Sequence, residues 1–177
     1  MGNRQMKNLR DRGSASFAHD RAAKAPCVHR PADLPIGEQF VLWALRQWQC
    51  ELSAWERDGA FPVAESDLRD GFRLAGLLDA LPEFAMVMDV ILFGIGRAIE
   101  IHQPRCSTIS RDEAVFIALC GLAQADLDGP LASSLNAMLG PGAAEAAGTR
   151  LTTFAAMLGA AGLELASARD DAARRLH

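Results

Sequence analysis

Residues 82–99 read PEFAMVMDVILFGIGRAI, and this stretch decides the fold class. Apolar side chains recur there at helical spacings of three and four residues, and further apolar side chains cover the opposite side. The first face comprises Phe84, Met88, Ile91, Leu92, Ile95 and Ile99, and the second comprises Met86, Val90 and Phe93. A helix that is apolar nearly all round is typical of a buried element. The pattern therefore predicts a central helix over 83–99.

The composition of the whole chain agrees with a helical fold. The 177 residues include 32 Ala and 22 Leu, no Tyr and only 6% aromatic residues. Ala and Leu are strong helix formers, whereas the β-branched and aromatic residues that favour strands are scarce. A chain of this length suits one domain. We expect a single compact all-α bundle of five to six helices.

Charge divides the chain into three parts. Residues 1–30 carry a net charge of +5, which leaves −9 for the other 147 residues of a chain whose total is −4. A basic segment with Ser, Ala and Gly on an acidic body is typical of a flexible tail. The predicted organisation is a basic flexible arm over 1–32, a helical domain over 33–165 and a flexible polar tail over 166–177.

Turn and capping residues place the remaining helices. Ser110 and Glu113 are spaced as a capping box, in which each side chain satisfies a backbone amide near the other, so a helix starts there. Pro104 interrupts the helical pattern over 101–109 and predicts an extended connection. The predicted helices besides 83–99 are 33–57, 65–80, 110–124, 130–139 and 143–160.

The first helix carries a second apolar stripe that makes it a candidate interaction surface. Its main stripe, which we expect to pack inward, comprises Val41, Ala44, Leu45, Trp48, Leu52 and Trp55. The second stripe lies roughly opposite and includes Trp43, Cys50 and Ala54. Exposed tryptophans are favoured at interfaces, so this stripe predicts self-association or a partner helix. The alternative is that another helix of the same chain covers Trp43.

A carboxylate lies within the most apolar helix. Burying Asp89 there without a partner would be costly. It shares a predicted helical stripe with Glu100, and His102 follows shortly after, so these three residues are candidates for a ligand pocket between helices. In the alternative, Asp89 faces water or pairs with an arginine. The arginines considered for this role are Arg46, Arg73 and Arg97.

Two Cys–His pairs are candidates for a metal site. Cys27 and His29 lie in the basic arm, and His102 and Cys106 lie in the proline-containing connection. Thiolates and imidazoles are ligands of tetrahedral zinc. The spacings differ from those of common zinc sites, and nothing in the sequence brings the two pairs together. The four residues are therefore weak candidates, with the alternative that the pairs are unrelated, and no cofactor is predicted.

The sequence argues against an enzyme. Histidine is the usual acid–base residue near neutral pH, yet three of the four histidines fall in the predicted arm and tail. The segment Gly94-Ile95-Gly96 starts like a dinucleotide-binding fingerprint but lies inside a predicted helix rather than after a strand. Sequences typical of P-loops, nucleophile elbows and zinc proteases do not occur.

Nucleic acid and membrane are both disfavoured as partners. The segment 111–139 has the outline of a helix–turn–helix, but beyond Arg111 it holds four acidic residues and no basic one, the wrong charge for binding phosphates. The most apolar stretch, 84–96, is shorter than the roughly 20 residues of a membrane span. We therefore expect a cytoplasmic protein that binds neither.

Composition and patterning favour a non-enzymatic protein-interaction or regulatory protein of the bacterial type, with another protein or a second copy of the chain as its partner. The alternative is a helical protein that binds a small molecule or a metal through the 89–106 neighbourhood. An exposed apolar patch would favour the first hypothesis. A pocket lined by Asp89, Glu100 and His102 would favour the second.

Overall fold

The computed structural model describes residues 30–58 and 66–165, and every regular element in these ranges is helical. In chain order the helices are α1 (Ile36–Asp58), α2 (Asp67–Leu74), α3 (Leu81–Gly94), α4 (Arg111–Gln124), α5 (Asp128–Leu139) and α6 (Pro141–Ala160). Short 3-10 turns, Pro31–Asp33 and Leu78–Ala80, precede α1 and α3. The all-α bundle is confirmed. Most of the predicted arm and the tail over 166–177 lie outside the described residues.

Helix α6 occupies the centre of the bundle. It packs against α3, α4 and α5, and its buried side chains are Ala144, Ala147, Leu151, Phe154, Ala155 and Leu158. Half of these are alanines, so neighbouring helices can approach the α6 backbone closely. Pro141 begins α6 at a position where a backbone N–H would have no helical partner. Because its side chains are small, α6 takes the central position that the sequence predicted for the helix over 83–99.

Aromatic rings fill the space between four helices. Phe72 of α2, Phe84 of α3 and Phe154 of α6 are fully buried, and their ring centroids lie 5.5 to 6.4 Å apart. Phe116 of α4 meets Phe84 edge-on at 6.2 Å. Each such pair adds about 0.5–1.5 kcal/mol beyond the area it buries. The cluster therefore joins α2, α3, α4 and α6 in one core.

The prediction of a buried helix over 83–99 was wrong in two respects. Helix α3 ends at Gly94, and Gly96 adopts a φ of 64°, the left-handed conformation that commonly follows a helix end. The outer side of α3 is also exposed, since Phe93 is 83% and Met86 is 43% accessible. The buried side chains of α3 are Phe84, Val87, Met88 and Ile91, all on the inner face.

A turn divides the helix predicted over 65–80. Helix α2 ends at Leu74, and Gly76 has a φ of 69° before the 3-10 turn. Ser66 caps α2 by accepting a hydrogen bond from the Arg69 amide at 3.2 Å. Glu51 of α1 accepts hydrogen bonds from the Ser66 hydroxyl and the Leu68 amide. These contacts fix the start of α2 against α1.

The other predicted helices are confirmed to within three residues at each end. Ser110 and Glu113 form the predicted capping box at the start of α4. The non-helical connection extends over 95–110, since α3 ends earlier than predicted, and it is called the connecting loop below. Among the described helices, none combines the length and the apolar character that a membrane crossing requires.

Gly71 offers a test of the packing between α1 and α2. A Cβ at this position would overlap the indole ring of Trp43. We expect Gly71→Ala to destabilise the fold by about 1–3 kcal/mol through overpacking, although Ala otherwise gains roughly 1 kcal/mol over Gly inside a helix. Urea unfolding measures the change. Gly129→Ala near the start of α5 is the control because a Cβ there meets no atom within 4 Å, and equal effects of the two substitutions would contradict the packing.

Candidate functional site

A buried ion pair joins α1 to α4. Arg46 is 2% and Glu113 is 0% exposed, and two hydrogen bonds connect them, from Nε to Oε1 at 2.8 Å and from Nη2 to Oε2 at 3.0 Å. The planar guanidinium matches a carboxylate in this two-point geometry. Burying two charges is costly unless further hydrogen bonds satisfy their remaining donors and lone pairs. The pair meets this condition through contacts with the connecting loop.

The Glu113 carboxylate accepts two backbone hydrogen bonds in addition. The Ser110 amide donates to it at 2.8 Å and the His102 amide at 3.0 Å. Burial by itself would raise the pKa of Glu113, but the hydrogen bonds from Arg46 and from the two amides outweigh burial and lower the pKa below its ordinary value. The carboxylate is therefore charged at neutral pH.

Arg46 uses its remaining donors on the connecting loop. Nη1 donates to the Cys106 carbonyl at 2.8 Å, and Nη2 donates to the Thr108 carbonyl at 2.6 Å. One side chain of α1 thus holds two carbonyls of the loop as well as a carboxylate of α4. Structureless loops longer than about 12–15 residues are uncommon in compact domains and are often functional. Here the buried pair fixes such a loop in place.

A second ion pair holds the start of the connecting loop. Arg97 binds Asp112 through two hydrogen bonds of 2.6 and 2.8 Å, and the Glu100 amide donates to the same carboxylate at 2.8 Å. The hydrogen bond from Arg97 lowers the pKa of Asp112. Both acids in the first turn of α4, Asp112 and Glu113, therefore bind the loop.

The loop displays a thiol beside an imidazole. Cys106 Sγ lies 3.5 Å from His102 Nδ1 and 3.3 Å from the Thr108 hydroxyl. His102 Nδ1 lies 3.1 Å from the Thr108 carbonyl, and Nε2 lies 3.5 Å from a Glu100 carboxylate oxygen. Cys106 and His102 are both half-buried. We call Glu100, His102, Cys106 and Thr108 the thiol–imidazole cluster.

The pKa values of the two central groups shift in opposite directions. Hydrogen bonds from the Thr108 hydroxyl and backbone lower the pKa of Cys106, and the charges of His102 and Arg46 add to this. The hydrogen bond to the Thr108 carbonyl raises the pKa of His102, with the carboxylates of Glu113 and Glu100 contributing. Perturbed titrations that cluster in one place are typical of functional sites.

The predicted ligand pocket is only partly assembled. Glu100 and His102 meet in the thiol–imidazole cluster, whereas Asp89 is exposed on α3, which ends before Glu100. The three arginines predicted as alternative partners of Asp89 bind other acidic residues. Arg46 pairs with Glu113, Arg73 with Asp70 and Arg97 with Asp112.

A cavity beside α3 is too small for a ligand. Its volume is about 20 Å³, which is the room of a single water molecule. Its lining is mostly apolar and comes from α1, α3, α4 and α5, with Ile95 and Ile99 of the loop. Asp89, Glu100 and His102 are not part of that lining. The pocket therefore remains a prediction without a cavity to support it here.

Two of the four predicted metal ligands meet. His102 Nδ1 and Cys106 Sγ are 3.5 Å apart, while Cys27 and His29 lie outside the described residues. Among the described residues, no group of three or more possible metal ligands occurs. A structural zinc site needs four protein ligands.

The second stripe of α1 faces other parts of the chain. Trp43 is half-buried and lies against Gly71 of α2, with the Phe40 ring centroid at 5.7 Å. This contact matches the alternative in which another helix of the chain covers Trp43. The Cys50 thiol lies 3.7 Å from the Gln103 side-chain oxygen of the connecting loop, and Ala54 is half-buried.

The exposed apolar side of α3 is a separate candidate surface. Met86, Val90 and Phe93 lie on one stripe, because residues four and seven positions apart share a helix face. A groove runs between Met86 and Val90 on α3 and the small residues Gly142 and Ala146 on α6. The sequence analysis identified these three residues as the second apolar face of the helix over 83–99, but it predicted that this face would be buried. We call these five residues the α3–α6 surface.

Comparisons with protein-family models, with curated proteins and with solved structures found no match.

Removing Arg46 tests the buried pair. Arg46→Met leaves Glu113 buried without its counter-ion and should cost about 3–5 kcal/mol at pH 7. Because the folded-state pKa of Glu113 lies below its unfolded value of about 4.3, the wild type has the full contribution above the unfolded value and loses it as the pH falls from there through the folded-state pKa. The difference between variant and wild type should therefore shrink in acid.

Urea unfolding at pH 7 and at about pH 3, below the unfolded pKa of glutamate, measures both effects. Arg73→Met is the control, since its pair with Asp70 is exposed on both sides and should cost less than about 1 kcal/mol. If Arg46→Met lowers the free energy of unfolding no more than the control does, the buried pair contributes little to stability.

Proposed function

We propose that the protein is a non-enzymatic interaction protein that self-associates through the α3–α6 surface. The observation that carries this proposal is Phe93, which is 83% exposed on the same side of α3 as Met86 and the exposed carboxylate of Asp89. Isolated exposed apolar residues are common in monomers, but Phe93 continues a stripe formed by Met86 and Val90. Aromatic anchors on contiguous apolar patches are typical of protein interfaces.

A second copy of the chain fits this surface better than an unrelated partner. The same surface offers exposed side chains, Phe93 and Met86, and a groove whose lining includes Gly142 and Ala146. In a two-fold dimer the same patch occurs on both subunits, so a surface that carries both a knob and a groove can complement itself. The surface thus supplies both halves of such a contact.

Charged residues that line the groove support the same arrangement. Arg150 of α6 lines the groove and binds Glu83 of α3 at 3.1 Å, and the exposed Glu145 lines the groove as well. Opposite charges on one patch allow two-fold-related copies to face each other without net repulsion.

Sedimentation equilibrium of the full chain over a range of micromolar concentrations tests the proposal. The wild type should dimerise, and Phe93→Ser should weaken the association at least about tenfold, as the loss of an aromatic anchor does. Leu74→Ser on α2 is the matched control, since Leu74 is 85% exposed but lies off the surface.

The proposal fails if the wild type stays monomeric throughout, or if Phe93→Ser and Leu74→Ser behave alike. Trp43→Ala in the same experiment tests the stripe of Trp43, Cys50 and Ala54 predicted from the sequence. It should leave the association constant unchanged if the α3–α6 surface forms the contact.

A further inference from the structure

The thiol–imidazole cluster has no part in the proposed self-association, and its hydrogen bonds define where the protons lie. The Thr108 carbonyl, 3.1 Å from His102 Nδ1, can only accept a hydrogen bond, so Nδ1 carries a proton. On the other side of the ring, Nε2 faces a Glu100 carboxylate oxygen at 3.5 Å. Both ring nitrogens thus face acceptors, which favours the doubly protonated imidazolium.

An imidazolium beside a thiol favours the thiolate. The Thr108 hydroxyl, 3.3 Å from Cys106 Sγ, can donate a hydrogen bond to the thiolate. The positive charge of the imidazolium is also close, since Nδ1, whose proton binds the Thr108 carbonyl, lies 3.5 Å from the sulfur. Arg46 binds the carbonyl of Cys106 itself, and its charge offsets that of Glu113, whose carboxylate lies 3.8 Å from His102 Nδ1. The lowered pKa of Cys106 and the raised pKa of His102 agree with this geometry.

The other described cysteines have different surroundings. Cys120 is fully buried in the core, and burial raises the pKa of its thiol. Cys50 is half-buried, and its thiol faces the neutral side-chain oxygen of Gln103. Cys106 combines partial exposure with a neighbouring cation, which is the environment of reactive thiolates.

We propose that Cys106 is a modification site whose thiolate reacts with soft electrophiles and with hydroperoxides, and that His102 is its positioning residue. With a hydroperoxide, the sulfur attacks one peroxide oxygen, an S–O bond forms and the O–O bond breaks. Sulfur is oxidised to a sulfenic acid, and the peroxide is reduced to an alcohol or to water. The leaving oxygen takes its proton from water.

Site-resolved alkylation of the full chain tests the proposal. Iodoacetamide is added in limiting amount, with and without a chelator, over a range of pH, and peptide mass spectrometry follows each cysteine. Cys106 should react at least about tenfold faster than Cys50 at pH 7, with a midpoint below the ordinary range of a cysteine thiol. His102→Gln should slow Cys106 and raise its midpoint, whereas Cys50→Ser should leave both unchanged.

A parallel reaction with hydrogen peroxide and a sulfenic-acid trap should label Cys106 and leave Cys50 and Cys120 unlabelled. Equal alkylation of Cys106 and Cys50, or an unchanged midpoint in His102→Gln, overturns the proposal. Failure to trap a sulfenic acid on Cys106 overturns its oxidative part. If Cys106 reacts only after a chelator has released stoichiometric zinc, the thiolate is a metal ligand and the proposal is wrong.

Discussion

The buried ion pair between Arg46 and Glu113 is the contact on which the arrangement of the connecting loop depends. Guanidinium and carboxylate each cost several kcal/mol to bury, and only the completeness of their hydrogen bonds makes the position tolerable. Those hydrogen bonds come from α1, from the capping box of α4 and from backbone groups of the loop. A segment without helical structure is therefore tied to the two helices that flank it.

The buried ion pair also positions the thiol and the imidazole of the connecting loop. Arg46 orients the carbonyls of Cys106 and Thr108, and the Thr108 carbonyl in turn orients the His102 ring. The Cys106 thiol and the His102 imidazole lie close together because Arg46 binds the Cys106 carbonyl and Glu113 binds the His102 amide. The α3–α6 surface has a different origin, since the small residues of α6 bring α3 close while the outer side of α3 stays uncovered. The two candidate sites thus rest on separate features of the bundle.

Local signals in the sequence predicted much of the fold. The capping box placed the start of α4 and singled out Glu113, and helical spacing predicted six helices near their observed positions. Local signals do not show which residues pack together when they are far apart in the chain. Arg46 pairs with Glu113 across 67 positions, and the exposure of Phe93 depends on which helix occupies the centre. Periodicity identifies an apolar face but does not tell whether a neighbour covers it.

Amide hydrogen exchange tests the role of the buried pair most directly. The amides of His102 and Ser110 both donate to Glu113 although neither lies in a helix. If the pair fixes the connecting loop, these two amides exchange as slowly as amides in the interior of α4. Exchange at the rate of exposed loop amides would contradict the account.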